Sequence, residues 1–252
     1  MSSFQVQSNM DGAVVPVVIN VCNFPPPSLS KPSFLTFGQV KTLFHELGHA
    51  LHGILSLVTY PSLSGTNVPR DYVEFPSQMM ENWGRDPHIV SQYARHYESN
   101  NVIPTELLEK ISAAVNFNQG FITTEYLAAS YLDLAWHMQE GKSKSVDEIE
   151  EQVRRQIRLM PEIAFRYRST YFSHIFSGGY SSFYYCYIWA AVLEKDAYAL
   201  FEEKGLFDET TASRLLKHVY SKGNTKEPMD EYRLFRGSEP SVQALIEKRG
   251  LL

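Results

Sequence analysis

The sequence predicts a mainly α-helical fold with at most one small β-sheet or strand. From about Gly38 onward, apolar residues recur at three- and four-residue steps, the spacing of one helix face. A single short run, residues 16–24, is rich in β-branched residues and predicts a strand. The 252 residues, 44% hydrophobic and 20% charged, are enough to build a sizeable core. One domain spanning residues 1–252 is expected.

The strand predicted over residues 16–24, "PVVINVCNF", allows two interpretations. It can be an ordinary core strand, or it can offer an exposed edge along which a peptide forms main-chain hydrogen bonds. The connection that follows, "FPPPSLSKPSFLTF", is too rich in proline for a helix or a central strand. The first helix then carries an apolar stripe that includes Leu43, Leu47 and Leu51.

The remaining pattern is helical almost to the end of the chain. The predicted helical stretches are residues 72–83, 105–139, 143–160 and 176–201, followed by three short helices punctuated by Gly205, Gly223 and Gly237. The stretch over 143–160 is charged, with Glu and Arg in register along a solvated face. The stretch over 176–201 begins at a glycine turn and is rich in aromatic residues.

Charge and composition exclude several classes of partner. The net charge of −5 argues against nucleic acid or an anionic membrane surface. No apolar run approaches the ~20 residues that a membrane-spanning helix needs. The two cysteines, Cys22 and Cys186, are too few for a disulfide framework and suit a reducing compartment. We therefore expect no nucleic acid, no membrane and a cytoplasmic location.

The segment "TLFHELGHALHG", residues 42–53, has the spacing of a metal-binding helix. Residues four apart lie one above the other on a helix, so His45 and His49 can direct two imidazoles at one ion. Glu46 lies one position further round and is placed to act as a general base. This is the physical content of the H-E-x-x-H motif, which predicts one Zn2+ ion. A surface helix with incidental histidines is the alternative.

A catalytic zinc needs a third protein ligand, and we predict Glu74. His52 is excluded because seven residues at 1.5 Å rise place it ~10 Å along the helix from His45. His52 is expected to pack or to support the ligands. Glu74 lies in the apolar context "YVEF" on the next predicted helix, where a carboxylate needs a partner. Glu81, two turns later, could orient a ligand histidine, although a solvated helix charge is an equal alternative.

Three segments together resemble the thimet oligopeptidase family of zinc metallopeptidases. They are "FHELGHALHG", "SGTNVPRDYVEFPSQMMENW" and "YFSHIFSGGYSSFYYCYIW". Within the family the chain is most similar to the bacterial peptidyl-dipeptidase, or dipeptidyl carboxypeptidase, branch. The resemblance covers essentially the whole chain and implies a zincin-like catalytic domain. Because family members are much longer, it also implies the C-terminal portion of a longer, two-sided enzyme, whose N-terminal part would be this chain's partner.

The resemblance also implies roles for individual residues. His45, His49 and Glu74 match the zinc ligands, Glu46 matches the general base, and His174 matches a histidine that contacts the substrate backbone. The glycine pair Gly178–Gly179 precedes tyrosines that match those lining the cleft, namely Tyr180, Tyr184 and Tyr187. Of these, Tyr187 is the first candidate for stabilising the oxyanion and Tyr180 the second.

Chemistry supports the tyrosines independently, because a phenol can donate a hydrogen bond to an oxyanion without changing charge. Their spacing of 4 and 3 predicts that Tyr180, Tyr184 and Tyr187 share one helical face. Taken alone, such a stripe is more often part of a core. Its place after His174 and a glycine turn favours a site.

The predicted function is zinc-dependent hydrolysis of short peptides, with release of C-terminal dipeptides implied by the branch resemblance. That specificity needs a cation near the substrate carboxylate, and Arg166 and Arg168 are available by position, although both could be surface arginines. An endo-acting oligopeptidase is the alternative within this class. A truncated metal-binding fragment with little turnover, and a helical interaction domain without metal, are the alternatives from other classes.

Overall fold

The computed structural model describes residues 1–141 and 144–251 and confirms the mainly α-helical architecture. Within these ranges the strands form one two-stranded antiparallel sheet. No helix in the described part of the chain is both long enough and apolar enough to cross a membrane.

The sheet pairs β1 (Ser2–Gln5) with β2 (Val17–Ile19). The prediction placed a strand over residues 16–24, so the observed strand is shorter, and its partner β1 was not anticipated. Both strands are largely exposed, which excludes the core-strand interpretation. The half-buried Val18 faces Gly53, so the sheet lies against the C-terminal end of the first helix.

Helix α1 (Phe37–Ile54) begins at a capping box. The Thr36 hydroxyl accepts a hydrogen bond from the Gln39 backbone N–H, and the Gln39 side chain accepts one from the Thr36 backbone N–H. Such a cap contributes about 1 kcal/mol to helix stability. The helix therefore starts two turns before His45, which places the histidine motif in its rigid interior.

Helix α2 (Glu74–Glu81) packs closely on α1. A Cβ added to Gly48 would lie 2.5 Å from the Cα of Ser77, so only glycine allows this approach. The close contact brings the first residue of α2 next to the histidines of α1. A 3₁₀ turn, Trp83–Arg85, continues the segment for which a helix over residues 72–83 was predicted.

The remaining helices follow in chain order. They are α3 (Pro87–Tyr93), α4 (Thr105–Ala114), α5 (Gln119–His137), α6 (Val146–Gln156), α7 (Ser173–Phe176), α8 (Cys186–Lys204), α9 (Glu209–Leu215), α10 (Pro228–Arg236) and α11 (Gln243–Lys248), with a π-helical turn Leu216–Tyr220 after α9. Three details differ from expectation. Helix α3 was not predicted, the stretch over 105–139 breaks at Asn118, which has φ 57°, and the aromatic stretch becomes helical only at Cys186.

Two hydrophobic clusters lie on either side of the candidate site. The first is built around α2, α8 and α10, with Phe75, Leu193 and Tyr232 buried at its centre. The second is built around α5 and α6, with Leu132 and Phe172 at its centre. The segment between α7 and α8 packs on the second cluster, whereas α2 packs on the first, so the site forms where the two meet.

Candidate active site

His45, His49 and Glu74 converge at one point. The Nε2 atoms of His45 and His49 lie 3.2 Å and 3.3 Å from the same oxygen of Glu74, Oε2. One donor atom from each residue lies within 4.8 Å of the other two. The two imidazole rings are nearly perpendicular, at 88°, as expected for residues one helical turn apart that face a common centre. The predicted trio is thus brought together.

The environment of Glu74 keeps its carboxylate charged. The side chain is buried, which by itself would raise its pKa, but the hydrogen bonds to His45 and His49 outweigh burial and hold the pKa well below the ordinary value. Its second oxygen, Oε1, accepts a hydrogen bond of 2.7 Å from the Tyr180 hydroxyl. The carboxylate therefore faces the histidines with one oxygen and is anchored through the other.

Glu81 contacts a histidine rather than solvent. Its Oε1 lies 2.8 Å from Nδ1 of His45, and its Oε2 pairs with Lys41 at 2.9 Å. Burial lowers the pKa of His45, but the hydrogen bonds to Glu74 and Glu81 outweigh it and raise the pKa to about 9. Because Nδ1 bonds to Glu81, Nε2 is the ring atom that faces the shared centre.

The donor set fits a divalent transition metal. Two imidazole nitrogens and one carboxylate oxygen are a ligand set of catalytic zinc sites, which keep a further position open. Glu81 holds His45 as an outer carboxylate holds a ligand histidine. His45, His49 and Glu74 are therefore the residues that would hold the ion.

Glu46 and His52, the other two polar residues of this segment, lie in different environments. The Glu46 side chain is 22% exposed and accepts a hydrogen bond from the Met1 amino group. His52 is fully buried, with its ring 6.2 Å from that of Tyr220, and burial lowers its pKa to about 3. His52 thus packs inside the protein as a neutral imidazole, in line with its exclusion as a ligand.

Tyr180 and Tyr184 lie outside a helix and Tyr187 lies in α8, so the prediction that the three tyrosines share one helical face was wrong. Residues 178–185, named here the tyrosine turn, precede α8, and of the three tyrosines only Tyr187 lies in that helix. Gly179 has φ 78°, which favours glycine, and a Cβ at Gly178 would lie 2.9 Å from the backbone of His174. The glycine pair folds the chain back on α7.

Tertiary folding still brings Tyr180 and Tyr187 together. Their rings stack at 5.5 Å with 17° between planes. Burial and the nearby Glu74 carboxylate raise the pKa of Tyr180 to about 12 and raise the pKa of Tyr187 further. Burial and Arg166 lower the pKa of His174, whose ring lies 6.2 Å from that of Tyr180. At neutral pH both phenols are protonated donors and the imidazole is neutral.

A cavity of about 690 Å³ adjoins this arrangement. Its wall includes His45, His174, Tyr184, Tyr187 and Arg166. Tyr184 has two roles, because it also belongs to the second hydrophobic cluster and is only 4% exposed. The two interpretations of the sequence, a core residue and a residue that lines the cleft, therefore both hold for Tyr184.

Comparison with known proteins identifies the family. The profile of peptidase family M3 matches residues 1–251. The chain belongs to peptidase family M3. It is 40% identical over 254 residues to a dipeptidyl carboxypeptidase of Escherichia coli (strain K12), covering 100% of this chain and 37% of that protein. It is 37% identical to an oligopeptidase A of Salmonella typhimurium (strain LT2), covering 94% and 35%. This M3 chain thus spans little more than a third of the length of these relatives.

The two arginine candidates of this M3 chain occupy different places. Arg166 lines the large cavity, 5.7 Å above the Tyr167 ring, and lies 3.5 Å from Glu125. Arg168 lines a separate, smaller depression, where its guanidinium pairs with Glu150 and Asp147. The structure brings Arg166, and not Arg168, to the cavity beside the tyrosines.

Two further residues of the M3 site were missed in the sequence. Lys41 pairs with Glu81, which in turn bonds to His45, so the three side chains form one series of polar contacts. The position of Lys41, four residues before His45 on the same helix, could have indicated that it lies near this site. Arg70 lies over the Tyr180 ring at 4.9 Å. No local pattern predicts the second contact, because it joins loops that are distant in sequence.

Proposed function

We propose that this chain is the catalytic portion of a zinc-dependent metallopeptidase that hydrolyses short peptides. The convergence of His45, His49 and Glu74 within 4.8 Å, with Glu46 on the same helix, is the observation that carries the proposal. Membership of peptidase family M3 supports it. The whole of residues 1–252 is proposed as one catalytic domain of a longer, two-sided enzyme, with the N-terminal part as its partner.

Each residue of the site has a step to perform. When bound, a zinc ion supplies Lewis-acid polarisation and makes water more acidic. Glu46 removes the proton from the attacking water and then transfers it to the leaving amine. Tyr187 donates a hydrogen bond to the developing oxyanion, and Tyr180 is the second donor.

Tyr180 can serve both the ligand and the substrate. Its hydroxyl now donates to Glu74, and a substrate oxygen in the cleft would compete for the same proton. His174, neutral because its pKa is lowered, contacts the substrate backbone beside Tyr184, Gly178 and Gly179.

Release of C-terminal dipeptides is proposed as the mode of cleavage. The dipeptidyl carboxypeptidase of Escherichia coli supports it by its name and its 40% identity. Arg166, which lines the cavity, is the proposed partner of the substrate carboxylate, whereas Arg168 is the weaker candidate because it lines a separate depression, where it pairs with Glu150 and Asp147. The exposed strand β2 lies against the end of α1 and would pair with an extended peptide.

Endo-acting cleavage is the second candidate, because oligopeptidase A of Salmonella typhimurium is 37% identical to the chain. Mass spectrometry of the products from a ten-residue peptide separates the two modes. Successive losses of C-terminal residue pairs support dipeptide release. A single internal cut supports the oligopeptidase.

The assignment of the base is tested by Glu46→Gln. We expect about one zinc per chain by elemental analysis and a kcat about 10²- to 10⁴-fold below that of the unchanged protein, because the variant keeps the ligands and loses the proton acceptor. Normal hydrolysis of a fluorogenic peptide by this variant would refute the role of Glu46.

The unchanged chain tests the wider alternatives in the same two measurements. One zinc with hydrolysis supports the peptidase. One zinc without hydrolysis supports a metal-binding fragment that needs the rest of the enzyme. No zinc supports a helical interaction domain and overturns the proposal.

A further inference from the structure

Asp133 is a buried carboxylate that the proposed chemistry does not use. It lies on α5, one turn from the end of the helix, and is 1% exposed. Its Oδ1 accepts a hydrogen bond of 2.9 Å from the backbone N–H of Ser182, and its Oδ2 accepts one of 2.8 Å from that of Tyr184. Nδ1 of His137 lies 2.8 Å from Oδ1. Each carboxylate oxygen thus accepts one backbone N–H of the tyrosine turn, whereas Nδ1 of His137 also lies 2.8 Å from the backbone carbonyl oxygen of Asp133.

The tyrosine turn needs such a fixed acceptor. Ser182 has φ 63°, a left-handed conformation that costs a non-glycine residue of order 1 kcal/mol. Two N–H groups that converge on one buried carboxylate compensate that strain, because bonds to a charged acceptor are stronger than neutral ones. Asp133 is far from α8 in sequence, but its carboxylate binds the backbone of the residues that precede this helix.

The position of the turn determines where the phenols lie. Tyr180 precedes Ser182 by two residues and donates to Glu74, while Tyr187 follows in the first turn of α8 and stacks on Tyr180. Asp133 itself contacts neither Glu74 nor the histidines of the cluster. Any effect on hydrolysis must therefore pass through the turn.

We propose that Asp133 is a positioning residue, which holds the tyrosine turn in its left-handed conformation and so aims Tyr180 and Tyr187 at the cluster. This inference rests on the proposed peptidase function for its kinetic consequence. Its structural consequence, the protection of the Ser182 and Tyr184 amides, does not depend on turnover.

The test is Asp133→Asn, which keeps the size of the side chain but turns one acceptor into an NH₂ group that faces an N–H. We expect hydrogen exchange in residues 178–185 to rise at least ~10-fold, and kcat/KM to fall about 10- to 100-fold, while about one zinc per chain is retained. In a background that carries both Tyr180→Phe and Tyr187→Phe the same change should cost less than ~3-fold, because both phenols through which it acts are already absent.

Asp196→Asn is the matched control. Asp196 is also buried and accepts two hydrogen bonds, from Tyr232 and Arg236, but it contacts no residue of the tyrosine turn. A merely structural role predicts that both variants lose stability and that neither couples to the loss of the Tyr180 and Tyr187 hydroxyls.

The outcomes separate this inference from the proposed function. Unchanged exchange in residues 178–185 of Asp133→Asn overturns the positioning role, even if the unchanged protein is a zinc peptidase. Equal losses of kcat/KM in the two backgrounds also overturn it. If the unchanged protein binds no zinc and cuts no peptide, the proposed function fails, and the exchange measurement alone still decides whether Asp133 holds the turn.

Discussion

The two halves of the candidate site are built in different ways. In the metal half, His45 and His49 are four residues apart on one helix, and Glu74 opens the next helix along the chain. In the tyrosine half, Tyr180 meets Glu74 across 106 positions, and Asp133 meets Ser182 across 49. One half depends on helix geometry, whereas the other depends on the packing of distant segments.

The comparison teaches where each half is vulnerable. A capped helix fixes the relative positions of its own residues through backbone hydrogen bonds, so the histidine pair survives modest changes elsewhere. The tyrosine turn has no such internal ladder and contains a strained residue, Ser182. We therefore expect changes in the metal half to act on zinc affinity and changes in the tyrosine half to act on turnover.

The largest effect in this comparison is expected from Tyr187→Phe. Loss of the proposed oxyanion donor should reduce kcat about 10²- to 10³-fold, while zinc binding stays within a few-fold, because the stacked ring remains. Steady-state kinetics together with elemental analysis measure both quantities. The exposed Tyr131→Phe is the control and should behave as the unchanged protein. A large loss of zinc from Tyr187→Phe would show that the halves are not separable.

A smaller effect is expected from Glu81→Gln, and it should fall on zinc affinity rather than on turnover. The outer carboxylate would no longer hold His45, so zinc affinity should fall about 10- to 100-fold, whereas kcat at saturating zinc should change little. Competition with a chelator measures the affinity. Glu231→Gln is the matched control. Glu231 forms a similar pair, with its Oε2 2.7 Å from Nδ1 of His218, but this pair lies away from the cluster. Equal affinities in the two variants would contradict the role of Glu81.

The smallest effect is a pH dependence of the metal-free protein. The folded pKa of His45, about 9, lies above its ordinary 6.5, so its stabilisation is complete below about pH 6.5 and is lost as pH rises through 9. The pKa of Glu74 is lowered, so its stabilisation is present above its ordinary 4.5 and is lost in acid. We expect the free energy of unfolding to fall between pH 6.5 and 9.5.

Urea unfolding of chelator-treated protein measures this slope. His45→Gln lacks the titrating group and serves as the reference. Parallel pH profiles for the two proteins would show that His45 does not carry the effect.

The comparison also explains which predictions succeeded. The spacing within α1 and the apolar surroundings of Glu74 were sufficient to predict that His45, His49 and Glu74 converge, because both are properties of short segments. The prediction that Tyr180, Tyr184 and Tyr187 share one face was wrong because it too used only local spacing. It assumed a helix where the glycine pair and Ser182 instead form a turn that α5 stabilises from outside.

The sequence by itself determined the helical class, the histidine pair and the identity of the third carboxylate. The first two follow from periodicity and spacing between residues a few positions apart, and the third was indicated by the apolar neighbours of Glu74. Only the tertiary structure decided that Tyr180 holds Glu74, that Arg166 and not Arg168 lines the cavity, and that Asp133 supports the tyrosine turn. Such contacts join surfaces of separate helices, and their partners are selected by how whole elements pack rather than by any pattern within one of them.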